Sequence, residues 1–249
     1  MTKISKTIHY IWFGNGEKSE LINKCISRNK EILSDWTFIE WNESNYDINK
    51  CQYMEEAYNS KKYAFASDFA RFDILYKYGG VYLDTDVELI KRIPDKMMEN
   101  DGFTGVESNN KIAPGLIFAC EPGNHLVKEI LDEYENEKFI LENGKINSTT
   151  VVDIVTKVFL RHGFKMDGSM QMLNGFNIYP CEYFCAYDFV LDEFNITNNT
   201  ISIHHYTATW TNNKSKIKKK IQRIIRKILG KKIYLKLINI KRKVLGIAK

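Results

Sequence analysis

The chain lacks several signals that would have classified it at once. Its five cysteines, Cys25, Cys51, Cys120, Cys181 and Cys185, are odd in number and widely scattered. No CxxC pair and no Cys/His zinc spacing occurs among them, which excludes a zinc ribbon or a disulfide framework and leaves reduced, mostly buried thiols as the expectation. No window reaches the roughly 20 apolar residues of a membrane span. The opening MTKISKTIHYIWFG has too short an apolar run and no small-residue cleavage site, so no secretory leader is expected. Without one, the Asn-x-Ser/Thr triplets at Asn42, Asn147, Asn195 and Asn198 read as chance. Internal repeats and long low-complexity linkers are missing as well.

What is present suits a folded domain: 249 residues, 44% hydrophobic and 13% aromatic. The net charge of +5 conceals a division. From Lys214 to Lys249 there are fifteen Lys/Arg and no Asp/Glu, which leaves 21 basic against 31 acidic residues in positions 1–213. The expected organisation is an acidic folded body over 1–212 and a basic tail over 213–249.

Residues 4–13 are β-branched and aromatic and end at Gly14-Asn15-Gly16, predicting a strand and a turn. Apolar positions at helical spacing follow over 19–33, then a second strand at Thr37–Trp41. Strand, helix, strand is the opening of an α/β domain with a parallel sheet. A helix over 64–77 should stop at Gly79-Gly80 and carry Asp68 and Arg71, three apart, on one flank. The strand Val81–Leu83 then runs into Asp84-Thr85-Asp86. Further on, the pattern predicts a strand over 115–120, helices over 124–142 and 149–162, an irregular aromatic stretch over 176–189, and a last strand from Ile201 towards Trp210.

The acidic triplet sits where open α/β sheets bind ligands, beyond the carboxyl end of a strand. In extended backbone, residues two apart face one side, so Asp84 and Asp86 can present both carboxylates to one point. Two hard oxygen ligands so placed suit Mn²⁺ or Mg²⁺ with open positions for phosphate oxygens, and hence a metal–diphosphate. The plain alternatives are a surface turn for the triplet, a surface ion pair for Asp68 and Arg71, and core packing for Trp12.

The run SDFARFDILYKYGGVYLDTDVE, with IHYIWFG before it and HHYTATW after it, resembles glycosyltransferase family 32. That resemblance spans roughly residues 4–210. It implies a GT-A type nucleotide-diphospho-sugar transferase fold and retaining transfer of a sugar to a hydroxyl. Asp84 and Asp86 match the family's DxD, Asp86 as the direct metal ligand and Asp84 as a residue that reaches the metal through water or contacts the ribose and sugar hydroxyls. Asp68 and Arg71 match the residues that hold the donor sugar, and Tyr82 falls in the same run. Trp12 matches the position that packs on the nucleotide base. In the final motif, His205 matches a residue that completes the metal sphere and Trp210 one that donates to the diphosphate. Tyr206 and Thr209 stand where many relatives carry Trp and Ser.

In the tail, Ile217, Ile221, Ile224, Ile225, Ile228 and Leu229 form one apolar stripe among cations, Gly230 interrupts it, and Ile233, Leu237, Ile240, Val244 and Ile247 resume it. Such helices suit an anionic membrane surface, with docking onto protein as the alternative. Nucleic acid is not the expected partner, because the isoleucines need burial and the body is acidic. The expectation is a cytoplasmic enzyme, peripheral on the inner face of the cell membrane, using a nucleotide-sugar donor and a glycan or glycolipid acceptor. Two rivals remain at this point: a haloacid-dehalogenase-type phosphatase with Asp84 as nucleophile and Asp86 as acid/base, and a membrane-bound scaffold with a degenerate site.

Overall fold

The computed structural model describes residues 2–188 and 193–207 and, further on, residues 226, 229, 230, 233, 234 and 236. The chain divides into a unit of residues 1–187 with 195–207 and a second unit of 188–194 with 208–249. In the second unit, Arg226 pairs with Glu193 at 3.6 Å. The described tail positions on both sides of Gly230 are helical, and Gly230 itself has φ +74, as its place in the apolar pattern predicts. Among the described residues no helix is long and apolar enough to cross a membrane.

The first unit is mixed α/β, the architecture expected of a GT-A domain. Its strands are β1 (Thr7–Ile11), β2 (Thr37–Trp41), β3 (Gly80–Tyr82), β4 (Val87–Leu89), β5 (Gly102–Gly105), β6 (Phe118–Cys120), β7 (Gln171–Leu173) and β8 (Phe176–Tyr179). Two short segments, β9 (Tyr187–Asp188) and β10 (Glu193–Phe194), precede β11 (Ser202–His204). Seven strands form one sheet in the order β2-β1-β3-β6-β5-β8-β7, while β4 pairs with β11 alone. β1 runs parallel to β2 and β3, with Ile8 opposite Val81 and His9 opposite Tyr82. β6 is antiparallel to both β3 and β5, and β5 is parallel to β8. The carboxyl ends of β1, β3, β5 and β8 therefore share one edge.

Alternation along the strands builds a core on each face of the sheet. Val81 and Leu83 join Ile8 and Tyr10 on one face, and Tyr82 joins Phe72 and Phe118 on the other. The helices follow capping chemistry. α1 (Glu20–Ile32) begins where Ser19 Oγ accepts from Ile22 N at 3.4 Å. α2 (Gln52–Asn59) packs beside α3 (Tyr63–Tyr78), which is buried almost all round and ends at Gly79, φ +63, as predicted. A Cβ on Gly79 would meet Pro122 Cδ at 2.6 Å.

α4 (His125–Glu135) is capped by Asn124 but is shorter than its sequence suggests. Its apolar stripe ends at Tyr134, and Ile140 turns away to bridge Ile146. α5 (Val151–Arg161) starts with a capping box between Thr150 and Asp153, and the single turn α6 (Cys181–Phe184) follows β8. Two further expectations need correction. The stretch over 176–189 holds an inner strand, β8, whose four residues are all buried and paired on both sides. The predicted strand over 115–120 is reduced to Phe118–Cys120, because residues 114–116 turn.

His9 gives this fold a pH limit. It is 1% exposed, its Nε2–H donates to Gly79 O at 3.0 Å, and its Nδ1 accepts from Trp41 Nε1 at 3.1 Å. Those partners suit only the neutral ring. Burial accordingly lowers its pKa from 6.5 to about 4. Between these values the unfolded chain takes up a proton that the fold refuses, so the stability is complete above pH 6.5 and is lost as pH falls towards 4. At 1.36 kcal/mol per unit the loss approaches roughly 3 kcal/mol. Denaturant unfolding at pH 7 and 4.5 checks this: the pH-dependent loss should shrink in His9→Gln, and equal losses in the two proteins would refute it.

Candidate active site

The acidic triplet lies on the turn that carries the chain out of β3 and into β4. Val87 N donates to Asp84 O at 3.0 Å, which closes a tight turn over residues 84–87. The sequence predicts the two carboxylates to converge through the alternation of extended backbone; they converge through this turn instead. Asp84 is held from three sides. Its backbone N–H donates to Gly115 O at 3.1 Å, Tyr82 Oη donates to its Oδ1 at 2.9 Å, and Arg71 Nη1 stands 3.4 Å from the same oxygen.

Gly115 is required here, since a Cβ would lie 2.2 Å from Asp84 Oδ2. α3 supplies the cation. Arg71, side chain 4% exposed, pairs through Nη2 with Asp68 Oδ1 at 2.6 Å, and its guanidinium lies 4.7 Å from the centre of the Tyr82 ring. Burial pushes Asp68 up to about 7, with Arg71 opposing and the Asp84 charge adding to the rise. One guanidinium thus serves two carboxylates.

Asp86 has a separate set of partners, all from the end of the described body. His204 Nε2 donates to its Oδ1 at 3.0 Å, while Thr207 N and Oγ1 both donate to Oδ2, at 2.9 and 2.8 Å. The ladder between β4 and β11 aligns them, with His204 opposite Val87. Burial alone would raise the Asp86 pKa, but the His204 hydrogen bond and charge, with Thr207, hold it well below the usual carboxylate range. Burial works in the opposite sense on His204, and the Asp86 bond and charge overcome it to raise that pKa.

Asp84, Asp86 and His204 each offer a ligand atom, and these atoms lie within 4.8 Å of one another. Carboxylate oxygens keep spare lone pairs beyond the bonds just described, and His204 Nδ1 is buried with no hydrogen-bond partner among the described residues. This donor set, two hard oxygens and one imidazole, fits a divalent cation such as Mn²⁺ or Mg²⁺.

The other expected site residues are placed as follows. Asp68, Arg71, Tyr82 and Asp84 form one connected group. Trp12 stands just past β1, at the same edge of the sheet, with its indole N–H donating to Gly16 O at 2.6 Å and Lys18 Nζ 5.4 Å from its ring centre. His205, expected at the metal, is turned the other way: its Nε2 lies 2.8 Å from Glu88 Oε2. Neighbouring residues along a strand alternate faces, and the face towards Asp86 is taken by His204. Trp210 lies outside the described residues. Gly115 and Thr207 were not anticipated. The only sequence traces of them are a Pro-Gly pair and the threonine next to HHY.

The family model described as glycosyltransferase sugar-binding region containing DXD motif matches residues 16–104. The chain is 33% identical over 98 residues to inositol phosphoceramide mannosyltransferase 1 of Schizosaccharomyces pombe, covering 35% of this chain and 29% of the relative. It is 26% identical over 165 residues to subversion of eukaryotic traffic protein A of Legionella pneumophila, covering 53% of this chain and 25% of the relative. The chain thus spans less than a third of the length of these curated relatives.

Among solved structures, the PaToxG glycosyltransferase aligns with a TM-score of 0.46 at 17% identity, covering 64% of this chain and 68% of that one. A glycosyltransferase involved in glycosylating the major capsid of PBCV-1 aligns at 0.45 and 9%, covering 87% of this chain and 99% of that one. Over residues 16–104 the chain is similar to the sugar-binding region of the DXD-motif glycosyltransferases, the region in which its sequence resembles family 32.

Proposed function

We propose that the protein is a metal-dependent, retaining glycosyltransferase that moves a sugar from a nucleotide-diphosphate donor to a hydroxyl of a surface-glycan acceptor, carried on a lipid. The observation that supports this most is the Asp84, Asp86 and His204 cluster at the carboxyl edge of the sheet, beside the buried Asp68–Arg71 pair. A divalent ion held there neutralises the diphosphate and stabilises the charge that develops on the leaving group. The residues of the chain contribute positioning. His204 and Thr207 fix the Asp86 carboxylate before any ligand arrives, so that carboxylate need not reorganise at the moment of transfer. Arg71 fixes Asp68 and Asp84, whose remaining lone pairs accept from sugar or ribose hydroxyls. Trp12, at the same edge, offers an aromatic face to the base.

Donor turnover decides among the readings. With Mn²⁺ and a panel of UDP- and GDP-sugars, the expected result is hydrolysis or transfer of one donor class. The matching nucleotide should raise the melting temperature only when the metal is present. Phosphomonoester cleavage without sugar-nucleotide turnover would replace this reading with the phosphatase, and absence of both turnover and metal-dependent nucleotide binding would replace it with the scaffold.

The basic tail completes the proposal. Fifteen cations interleaved with the apolar stripe of the sequence would hold the enzyme on the anionic inner face of the cell membrane, close to a lipid-carried acceptor, at about 1 kcal/mol per cation near the surface. Removing residues 214–249 should release the protein from phosphatidylserine-containing vesicles in a flotation assay. Retention equal to that of the full chain would discard the membrane role.

A further inference from the structure

A second cluster of metal-ligating side chains lies behind the acidic turn. Cys25 comes from α1, Glu88 from the middle of β4, and His205 from the residue after β11. A sulfur, a carboxylate oxygen and an imidazole nitrogen from these three lie within 4.8 Å of one another. Glu88 and His205 already touch at 2.8 Å. Cys25 is fully buried, whereas the Glu88 and His205 side chains keep 17% and 22% exposure, so the cluster has a sealed side and a side that meets water.

The frame around the trio is fixed. One helical turn past Cys25, Asn29 Nδ2 donates to Val87 O at 2.9 Å and Asn29 Oδ1 accepts from Leu89 N at 2.7 Å. Those two bonds clamp α1 along one edge of β4, and β11 pairs along the other. Glu88 is thereby held between Cys25 and His205.

Sugar transfer as described above uses none of the three. Their chemistry also differs from that of the acidic turn. Oxygen-rich sites select hard ions, while a thiolate with an imidazole and a carboxylate suits a borderline-soft ion in tetrahedral geometry, with three protein ligands and a water. We propose that Cys25, Glu88 and His205 bind a zinc-type divalent cation at a site separate from the Asp84–Asp86 turn. On binding, the Cys25 thiol gives its proton to solvent and its sulfur bonds the ion. The Glu88 carboxylate and a His205 nitrogen donate lone pairs, and nothing is oxidised or reduced.

Glu88 lies two residues beyond Asp86, and His205 directly follows His204. An ion here therefore joins the two chain segments that carry the acidic site and ties both to α1. Its role is to hold that geometry in place.

Co²⁺ added to the full chain is the test, because cobalt reports its ligands by absorption. One equivalent should give thiolate-to-cobalt charge-transfer absorption in the near ultraviolet and the intense visible bands of a tetrahedral ion, and Zn²⁺ should abolish both. The double variant Asp84→Asn/Asp86→Asn should keep the charge-transfer band, and Cys25→Ser should lose it. His205→Gln, a change at a part-exposed side chain, should weaken cobalt binding by about tenfold or more. The proposal is overturned by the absence of the band in the native protein, or by its survival in Cys25→Ser. Should Cys25→Ser not fold, unchanged cobalt affinity in His205→Gln overturns it alone.

Discussion

Asp86→Ala is expected to lower Mn²⁺-dependent donor turnover about a thousandfold, and excess Mn²⁺ should not restore it. Stabilisation of leaving-group charge by a bound ion is worth several kcal/mol, and each 1.36 kcal/mol is a factor of ten. Asp86 is the residue on which the preparation of the site converges, since His204 and Thr207 supply three donors to its two oxygens. Alanine removes the ligand and leaves those donors aimed at nothing. His204→Gln should fall between the two proteins, because it loosens Asp86 and takes one nitrogen from the set while leaving both carboxylates. Steady-state turnover over a manganese titration separates these outcomes. An Asp86→Ala enzyme within tenfold of the native rate would show that the turn does not hold the ion.

The second large effect is on stability. Arg71→Ala should cost about 3–5 kcal/mol, the range for removing one partner of a buried ion pair. Its side chain is 4% exposed and stands between Asp68 at 2.6 Å and Asp84 at 3.4 Å. Without it, two carboxylates face each other with no counter-charge, and the Tyr82 ring loses its cation. Arg71→Lys should recover little, since a single ammonium cannot replace a fork that also donates through Nε to Ser67 O at 3.2 Å. Urea unfolding reads this as a lower midpoint at unchanged slope. A loss under about 1 kcal/mol would mean that the cluster relaxes without its arginine.

Much of this was legible in the residues. The apolar spacing of α1, the end of α3 at Gly79 and the strand leading to Asp84 follow from local chemistry that tertiary contacts do not override. Asp68 and Arg71 were placed on one flank of α3 by their spacing, and they are paired there. What the sequence hid is what depends on distant partners. β8 reads as irregular because its burial comes from neighbouring strands, not from its own alternation. The choice between His204 and His205 turns on the register of β11 against β4, a contact between residues more than a hundred positions apart. Gly115 matters only because the Asp84 carboxylate folds back against it.

The acidic turn is also a joint, with the large sheet on one side of it and the two-stranded β4–β11 ladder on the other. During synthesis, a nascent chain that has emerged as far as residue 200 already holds every strand of the large sheet, yet it lacks His204 and Thr207. Pairing of β11 with β4, and with it the hydrogen bonds to Asp86, closes a long loop and cannot precede the emergence of residues 202–207. The acidic site is therefore complete only after nearly all of the described body has left the ribosome.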